Sequence, residues 1–129
     1  MLRICVAFFL GICKRRMAAS SGIIESPNYP KNYLSTTQCA WTIDFGSGIY
    51  VELEFIEFVL EEKSVLCFDY LSLHNGSNET TPMLQGTEKH CGQIQPPKQT
   101  HLGPLTIFFL SDKDTDKKGF SARYRTWGM

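Results

Sequence analysis

IYVELEF, residues Ile49 to Phe55, alternates without a break. Ile49, Val51, Leu53 and Phe55 fall on one side, and Tyr50, Glu52 and Glu54 on the other. This is the period of two that a half-buried strand requires. The two outward glutamates read as the wet face of a sheet. Phe58-Val59-Leu60 carries the strand on toward an acidic corner. Upstream, Phe45-Gly-Ser-Gly48 is a turn, and Cys39-Ala-Trp41-Thr-Ile43 starts another strand with Trp41 as a core anchor. Downstream, Asp69 to Asn75 (DYLSLHN) is a strand with Leu71 and Leu73 inward, ended by the hairpin-turn signal Asn75-Gly76. Leu105 to Leu110 (LTIFFL) is a buried strand. Phe120 to Tyr124 (FSARY) alternates again and closes the sheet, and Trp127 packs on the sandwich edge.

The stretches between these runs are punctuated. Ser20 to Tyr33 contains Gly22, Pro27 and Pro30, which with Asn28 fix a turn and keep this part out of the middle of a sheet. Thr80 to Gly92 reads as irregular, and Gln95-Pro-Pro97 as a loop. Short runs rich in Val, Ile, Phe, Tyr and Thr, with turn residues between them and no long helical period, predict an all-β fold: a two-sheet antiparallel β-sandwich. The 129 residues allow one domain with a proper core.

Thirteen basic and thirteen acidic residues cancel, so there is no net field to draw in nucleic acid. A hydrophobic content of 43% excludes a disordered chain. Cysteines stand at 5, 13, 39, 67 and 91, without a CxxC and too far apart for a compact zinc knuckle. Two well-spaced pairs and one leftover fit disulfides in an oxidising compartment. Asn75-Gly-Ser and Asn78-Glu-Thr are glycosylation sequons, and beside paired cysteines they point outside the cell; the bland alternative is two plain turn asparagines. No GxSxG or GDSGG nucleophile setting, HExxH or phosphate loop occurs. His74, His90 and His101 read as turn residues without a neighbouring nucleophile motif. The reading is therefore non-catalytic.

Phe55 to Leu71 (FIEFVLEEKSVLCFDYL) runs from an apolar strand into a loop with Glu61, Glu62 and Asp69, and back into a strand. Burying three carboxylates in a core is costly, so this corner is expected to face water or a cation. Calcium suits a loop of carboxylates and backbone carbonyls. The second acidic loop, SDKDTD (Ser111 to Asp116), also follows an apolar strand. The two loops are expected to share one calcium ion and to form a protein-binding tip. The alternative is a set of solvated loop charges.

Met1 to Ile12 is an Arg-bearing start followed by about ten apolar residues, too short for the ~20 that span a bilayer. It has the shape of a secretory signal, but Lys14-Arg15-Arg16 follows directly. Ala18-Ala19-Ser20 offers a peptidase small residues, and a cut there discards Cys13. The domain reading is a leader or fragment start over 1–12, one domain over 13–126, and a tail over 127–129.

Five segments in order resemble the CUB domain family: Cys13…Ser20-Ser-Gly-Ile-Ile-Glu-Ser-Pro-Asn-Tyr-Pro30…Tyr33…Cys39-Ala-Trp41; Phe55…Phe58-Val-Leu-Glu61…Cys67-Phe-Asp69-Tyr-Leu71; Asn75-Gly76 with Cys91-Gly92; Phe109-Leu-Ser-Asp112; and Gly119-Phe120-Ser-Ala-Arg-Tyr124. Cys91-Gly-Gln-Ile-Gln-Pro-Pro97 looks most like CUB domains of neuropilin type or those attached to ovochymase-like secreted proteases. The resemblance implies a jelly-roll-like sandwich with Cys13–Cys39 and Cys67–Cys91 bridges, leaving Cys5 over. If Cys13 is structural, either a signal is cut before it or the start is a fragment, which is the preferred reading. Many CUB domains carry a calcium site at one end of the sandwich. Carried over by position, its ligands here are Glu61, Asp69 and Asp112. Asp114 and the backbone at Thr115 complete the shell, and the Tyr33 hydroxyl holds one of the carboxylates. Two departures stand out: Lys14-Arg15 replaces the usual two glycines, and Cys67 precedes Asp69 by two residues where the family more often has three.

The resemblance implies an extracellular protein-binding module, part of a larger secreted or membrane-tethered protein. In calcium-binding members the acidic rim receives a Lys or Arg of the partner, and the domain itself inserts into no membrane. Two alternatives remain: an accessory domain of a secreted trypsin-like protease, and a free-standing, spermadhesin-like protein that binds carbohydrate or egg coat.

Overall fold

A computed structural model describes residues 12–61, 67–84, 89–112 and 117–128. Eight strands run in chain order: β1 (Ile12–Arg16), β2 (Ser21–Glu25), β3 (Gln38–Ile43), β4 (Ile49–Val59), β5 (Tyr70–Asn75), β6 (Gln99–Leu102), β7 (Leu105–Leu110) and β8 (Gly119–Gly128). They form two four-stranded sheets, β1-β3-β7-β5 and β2-β8-β4-β6, so the chain is an all-β two-sheet sandwich. The expected antiparallel pairing fails at one edge, where β1 runs parallel to β3. The charged run Lys14-Arg15-Arg16 hid β1 in the sequence. At an edge, exposed strand residues can remain charged.

The core lies between the sheets. Trp41 meets Phe120 edge to face at 5.6 Å, and Phe109 meets Phe120 at 5.5 Å and Tyr33 at 5.1 Å. Val51, Leu53 and Phe55 point inward from β4, as the alternation requires. The register against β8 then shifts between Phe55 and Glu57. This bulge leaves Ile56 on the surface and brings Phe58 back into the core. On the wet face, Glu52 and Glu54 lie opposite Arg125 and Arg123 and pair with them at 2.6 and 2.8 Å.

Several local expectations change. Trp127 is not at the sandwich edge: it lies in β8, a central strand, opposite Tyr50 and stacked on it at 5.6 Å. Asn75-Gly76 does begin a turn: the chain comes back antiparallel to β5, with Met83 bridging His74 and the Leu84 N–H donating to the Leu73 carbonyl at 2.9 Å, although the returning stretch is not one of the eight strands. The histidines are not turn residues. His74 is buried in β5, with Nδ1–H donating to the Thr81 carbonyl at 2.7 Å and Nε2 2.7 Å from the Ser72 hydroxyl. His101 lies in β6, and His90 bridges to Leu71. The segment after β5 is less irregular than expected: Met83 and His90 each bridge to it, shielding its outer edge. Strand β8 reaches Gly128, so Trp127 and Gly128 belong to the sheet. Cys5 and residues 1–11 lie outside the described residues.

Candidate functional site at one pole of the sandwich

Three strand ends meet at one pole. Leu60 and Glu61 follow β4, Asp69 precedes β5, and Ser111 and Asp112 follow β7. Each position is tied by a specific contact. The Leu60 N–H donates to the Gly92 carbonyl (2.8 Å), and Cys91 beside it is bonded to Cys67, two residues before Asp69. The loop over 26–37 closes the pole from the other side. The Thr36 N–H donates to the Asp112 carbonyl at 2.7 Å. Thr37 and Ser111 exchange two bonds of 2.9 Å, from the Ser111 N–H to the Thr37 carbonyl and from the Thr37 N–H to the Ser111 hydroxyl. The other predicted bridge, Cys13–Cys39, joins register partners on β1 and β3.

Tyr33 is the hub of this pole. It is fully buried, and its hydroxyl donates to Asp69 Oδ2 at 2.5 Å and accepts from the Glu61 N–H at 3.2 Å. Its N–H donates to the Lys117 carbonyl, and Gly119 packs against its ring and against Ser26. Burial first, and then the bond to Asp69, push its phenol well above the usual range. It therefore stays a hydrogen-bond donor at physiological pH.

The acidic corner does not face water. Glu61 is 4% exposed, Asp69 0%, and Asp112 is half-buried. One carboxylate oxygen from each lies within 4.8 Å of the other two. Burial raises the Asp69 carboxyl from 3.8 to about 6. The bonds it accepts from Tyr33 and from the Asp112 N–H (2.8 Å) oppose that rise, and the Asp112 charge adds to it. Glu61 Oε1 is buried and has no hydrogen-bond partner among the described residues. Two buried carboxylates and a third at their side form an unfavourable set unless a cation lies between them. The donor set is all oxygen, the chemistry of a hard divalent ion.

Glu61, Asp69, Asp112 and Tyr33 are thus brought together. Asp114 and Thr115 fall outside the described residues, as does Glu62, the neighbouring carboxylate. The sequence reading missed Ser26, Thr36, Thr37 and Gly119, which brace the pole. Their partners lie so far along the chain that no local pattern marks them. The sequon residues Asn75 and Asn78 are both exposed and lie at the other end of β5, Asn75 as its last residue and Asn78 just beyond it.

Fold, bridges and pole define a disulfide-stapled β-sandwich of the extracellular kind. A family profile described as CUB domain matches residues 13–124, and the chain belongs to that family. It is 33% identical over 119 residues to bone morphogenetic protein 1 of Xenopus laevis, covering 92% of this chain and 16% of that one. It is 32% identical to cubilin of Canis lupus familiaris, over 89% of this chain and 3% of that one. Among solved structures, the MASP-1 CUB2 domain bound to Ca2+ superposes with a TM-score of 0.73 at 29% identity, covering 86% and 96% of the two chains. The CUB1-EGF-CUB2 domain of human MASP-1/3 superposes at 0.74 with 26% identity, over 87% and 41%. The chain thus spans under a fifth of the length of these two sequence relatives. CUB domains are generally non-catalytic binding modules, and the relatives of this chain that carry them are extracellular proteins, which makes the chain an extracellular protein-binding module.

Proposed function

We propose that this domain binds an extracellular protein partner in a calcium-dependent way, through a basic side chain of the partner. The carrying observation is the buried Glu61 Oε1, without a hydrogen-bond partner among the described residues and grouped with Asp69 and Asp112. The Ca2+-bound MASP-1 CUB2 domain supports the choice of ion. In this reading Glu61, Asp69 and Asp112 hold the ion, Asp114 and the backbone at Thr115 complete its shell, and Tyr33 fixes the Asp69 rotamer. The ion neutralises carboxylates that otherwise repel. Carboxylates held in place then accept a charge-assisted hydrogen bond from Lys or Arg at little ordering cost.

The test is calorimetric titration of the oxidised domain with calcium, alongside Asp112→Ala. The wild type is expected to bind and the variant to lose most of the affinity while keeping its fold by circular dichroism. Binding of a Lys-containing peptide, compared with its acetylated form, with calcium or with a chelator, tests the basic partner. Absence of binding heat, with an unfolding midpoint that calcium leaves unchanged, overturns the reading.

A further inference from the structure

We propose that Asn78, and not Asn75, carries an N-linked glycan, at the pole of the sandwich opposite Glu61, Asp69 and Asp112. The two sequons lie three residues apart, yet the fold treats them differently. Asn75-Gly-Ser77 is stitched to the sheet. The Asn75 N–H donates to the Pro82 carbonyl (2.8 Å), and Asn75 pairs with Leu105 as the last residue of β5. The Gly76 carbonyl accepts from the Thr106 hydroxyl (2.9 Å), and the Ser77 carbonyl from the Thr42 hydroxyl (3.3 Å). Gly76 adopts a φ of +152°, and a Cβ there meets the Thr81 side chain at 2.6 Å. A transferase that must draw this sequon into its own site has to peel the end of β5 away.

Asn78-Glu-Thr80 stands free of the ladder. Asn78 is exposed, and its Oδ1 accepts from both the N–H and the hydroxyl of Thr80, at 2.8 and 2.5 Å. This Asx turn fixes the carboxamide with Oδ1 engaged. Nδ2, the atom that glycosylation modifies, has no hydrogen-bond partner among the described residues. The Glu79 carboxylate is drawn aside by Lys14 at 2.8 Å. A shallow groove of about 240 Å³, lined by Lys14, Arg16, Ala40, Thr42, Ser77 and Asn78 among others, opens beside the acceptor and leaves room for the first sugar.

The chemistry closes with a lipid-diphosphate-linked oligosaccharide of the secretory pathway as donor. Nδ2 attacks the anomeric carbon, the N–C bond forms, the C–O bond to the diphosphate breaks, and Nδ2 gives up a proton. As β5 pairs, Asn75 is withdrawn while Asn78 remains available. Strand β5 separates the acceptor from Asp69 by about 20 Å at ~3.3 Å per residue. The glycan therefore covers the β1 side of one sheet and leaves the acidic pole open.

Secretion of the full chain from a eukaryotic host, followed by peptide mass mapping with an amidase that converts glycosylated Asn to Asp, reads each position directly. Majority occupancy is expected at Asn78, with Asn75 unmodified. The glycan-dependent mobility shift is expected to survive Asn75→Gln and Ser77→Ala, and to vanish in Asn78→Gln and Thr80→Ala. A glycan mapped to Asn75 in the wild type, on both asparagines of most molecules, or on neither in secreted protein, overturns the inference. If a variant is not secreted, the wild-type map alone decides. None of these measurements involves calcium, so this inference and the proposed function fail separately.

Discussion

Replacing Asp69 by Asn inverts a stability ranking if the pole is a cation site. Asp69 is fully buried, and burial raises its carboxyl from 3.8 to about 6. Near pH 7.5, in a chelator, ionising it in the folded chain costs about 3 kcal/mol relative to the unfolded chain. Asn removes that cost but turns one acceptor oxygen into a donor, so one of the bonds from Tyr33 or the Asp112 N–H is lost, a penalty of about 1–3 kcal/mol. In chelator, Asp69→Asn is therefore expected to match the wild type or exceed it by up to about 2 kcal/mol, at about 3–5 °C of midpoint per kcal/mol for a domain of this size. Calcium at a hundredfold excess over Kd adds about 2.7 kcal/mol to the wild type and nothing to the variant, so the order reverses. The pH dependence carries the same signature. Between 3.8 and about 6 the folded state binds the Asp69 proton more tightly than the unfolded chain. The contribution of Asp69 to stability therefore falls as pH rises through that window and is recovered on acidification. The variant lacks this component. Urea unfolding in chelator and in calcium, at pH 5 and pH 7.5, reads all of these. A variant equally destabilised with and without calcium refutes the reasoning, as does a wild type indifferent to both calcium and pH.

Three further outcomes are expected. Tyr33→Phe strips a donor from Asp69 and an acceptor from the Glu61 N–H in a fully buried setting, and should cost about 3 kcal/mol by urea unfolding and weaken calcium binding by calorimetry. Gly119→Ala places a Cβ 1.9 Å from Ser26 Oγ and 3.3 Å from the Tyr33 ring at a φ of +95°, and should lower stability by about 2–4 kcal/mol in thermal unfolding. Removing either disulfide should cost about 3–4 kcal/mol from loop entropy, since each closes a span of similar length, 26 or 24 residues. Only Cys67→Ser with Cys91→Ser should also impair calcium binding, because that bridge anchors the approach to Asp69; calorimetry on the two double variants separates them.

The sequence was most legible where one side of a strand is wet. The alternation of Ile49 to Phe55 is that of β4, and LTIFFL and FSARY fall in β7 and β8. Strands β1 and β6 were hidden because edge positions tolerate Lys, Arg, Gln and His, which blur the period of two. Strand β2 was hidden behind Pro27 and Pro30, yet it ends at Glu25 before either. The bulge at Ile56 left a trace, since Phe55 and Phe58 are spaced by three and not by two, but only the partner strand shows that both point inward. The acidic pole was legible as a grouping through the family resemblance. Its burial was not, because a local reading assigns carboxylates to the surface. What permits their burial is a phenol 36 residues before Asp69 and a backbone N–H 43 residues after it.

The pole draws its carboxylates from the end of β4, the start of β5 and the end of β7, strands that lie in both sheets. A chain that has formed only the β1-β3-β7-β5 sheet sets Asp69 beside Asp112 but lacks Glu61, which arrives with β4 of the other layer. A cation that needs all three carboxylates is therefore held only once the two layers have met, acting as a lock and not as a template. Such a lock stabilises the joined layers and offers nothing to either layer alone.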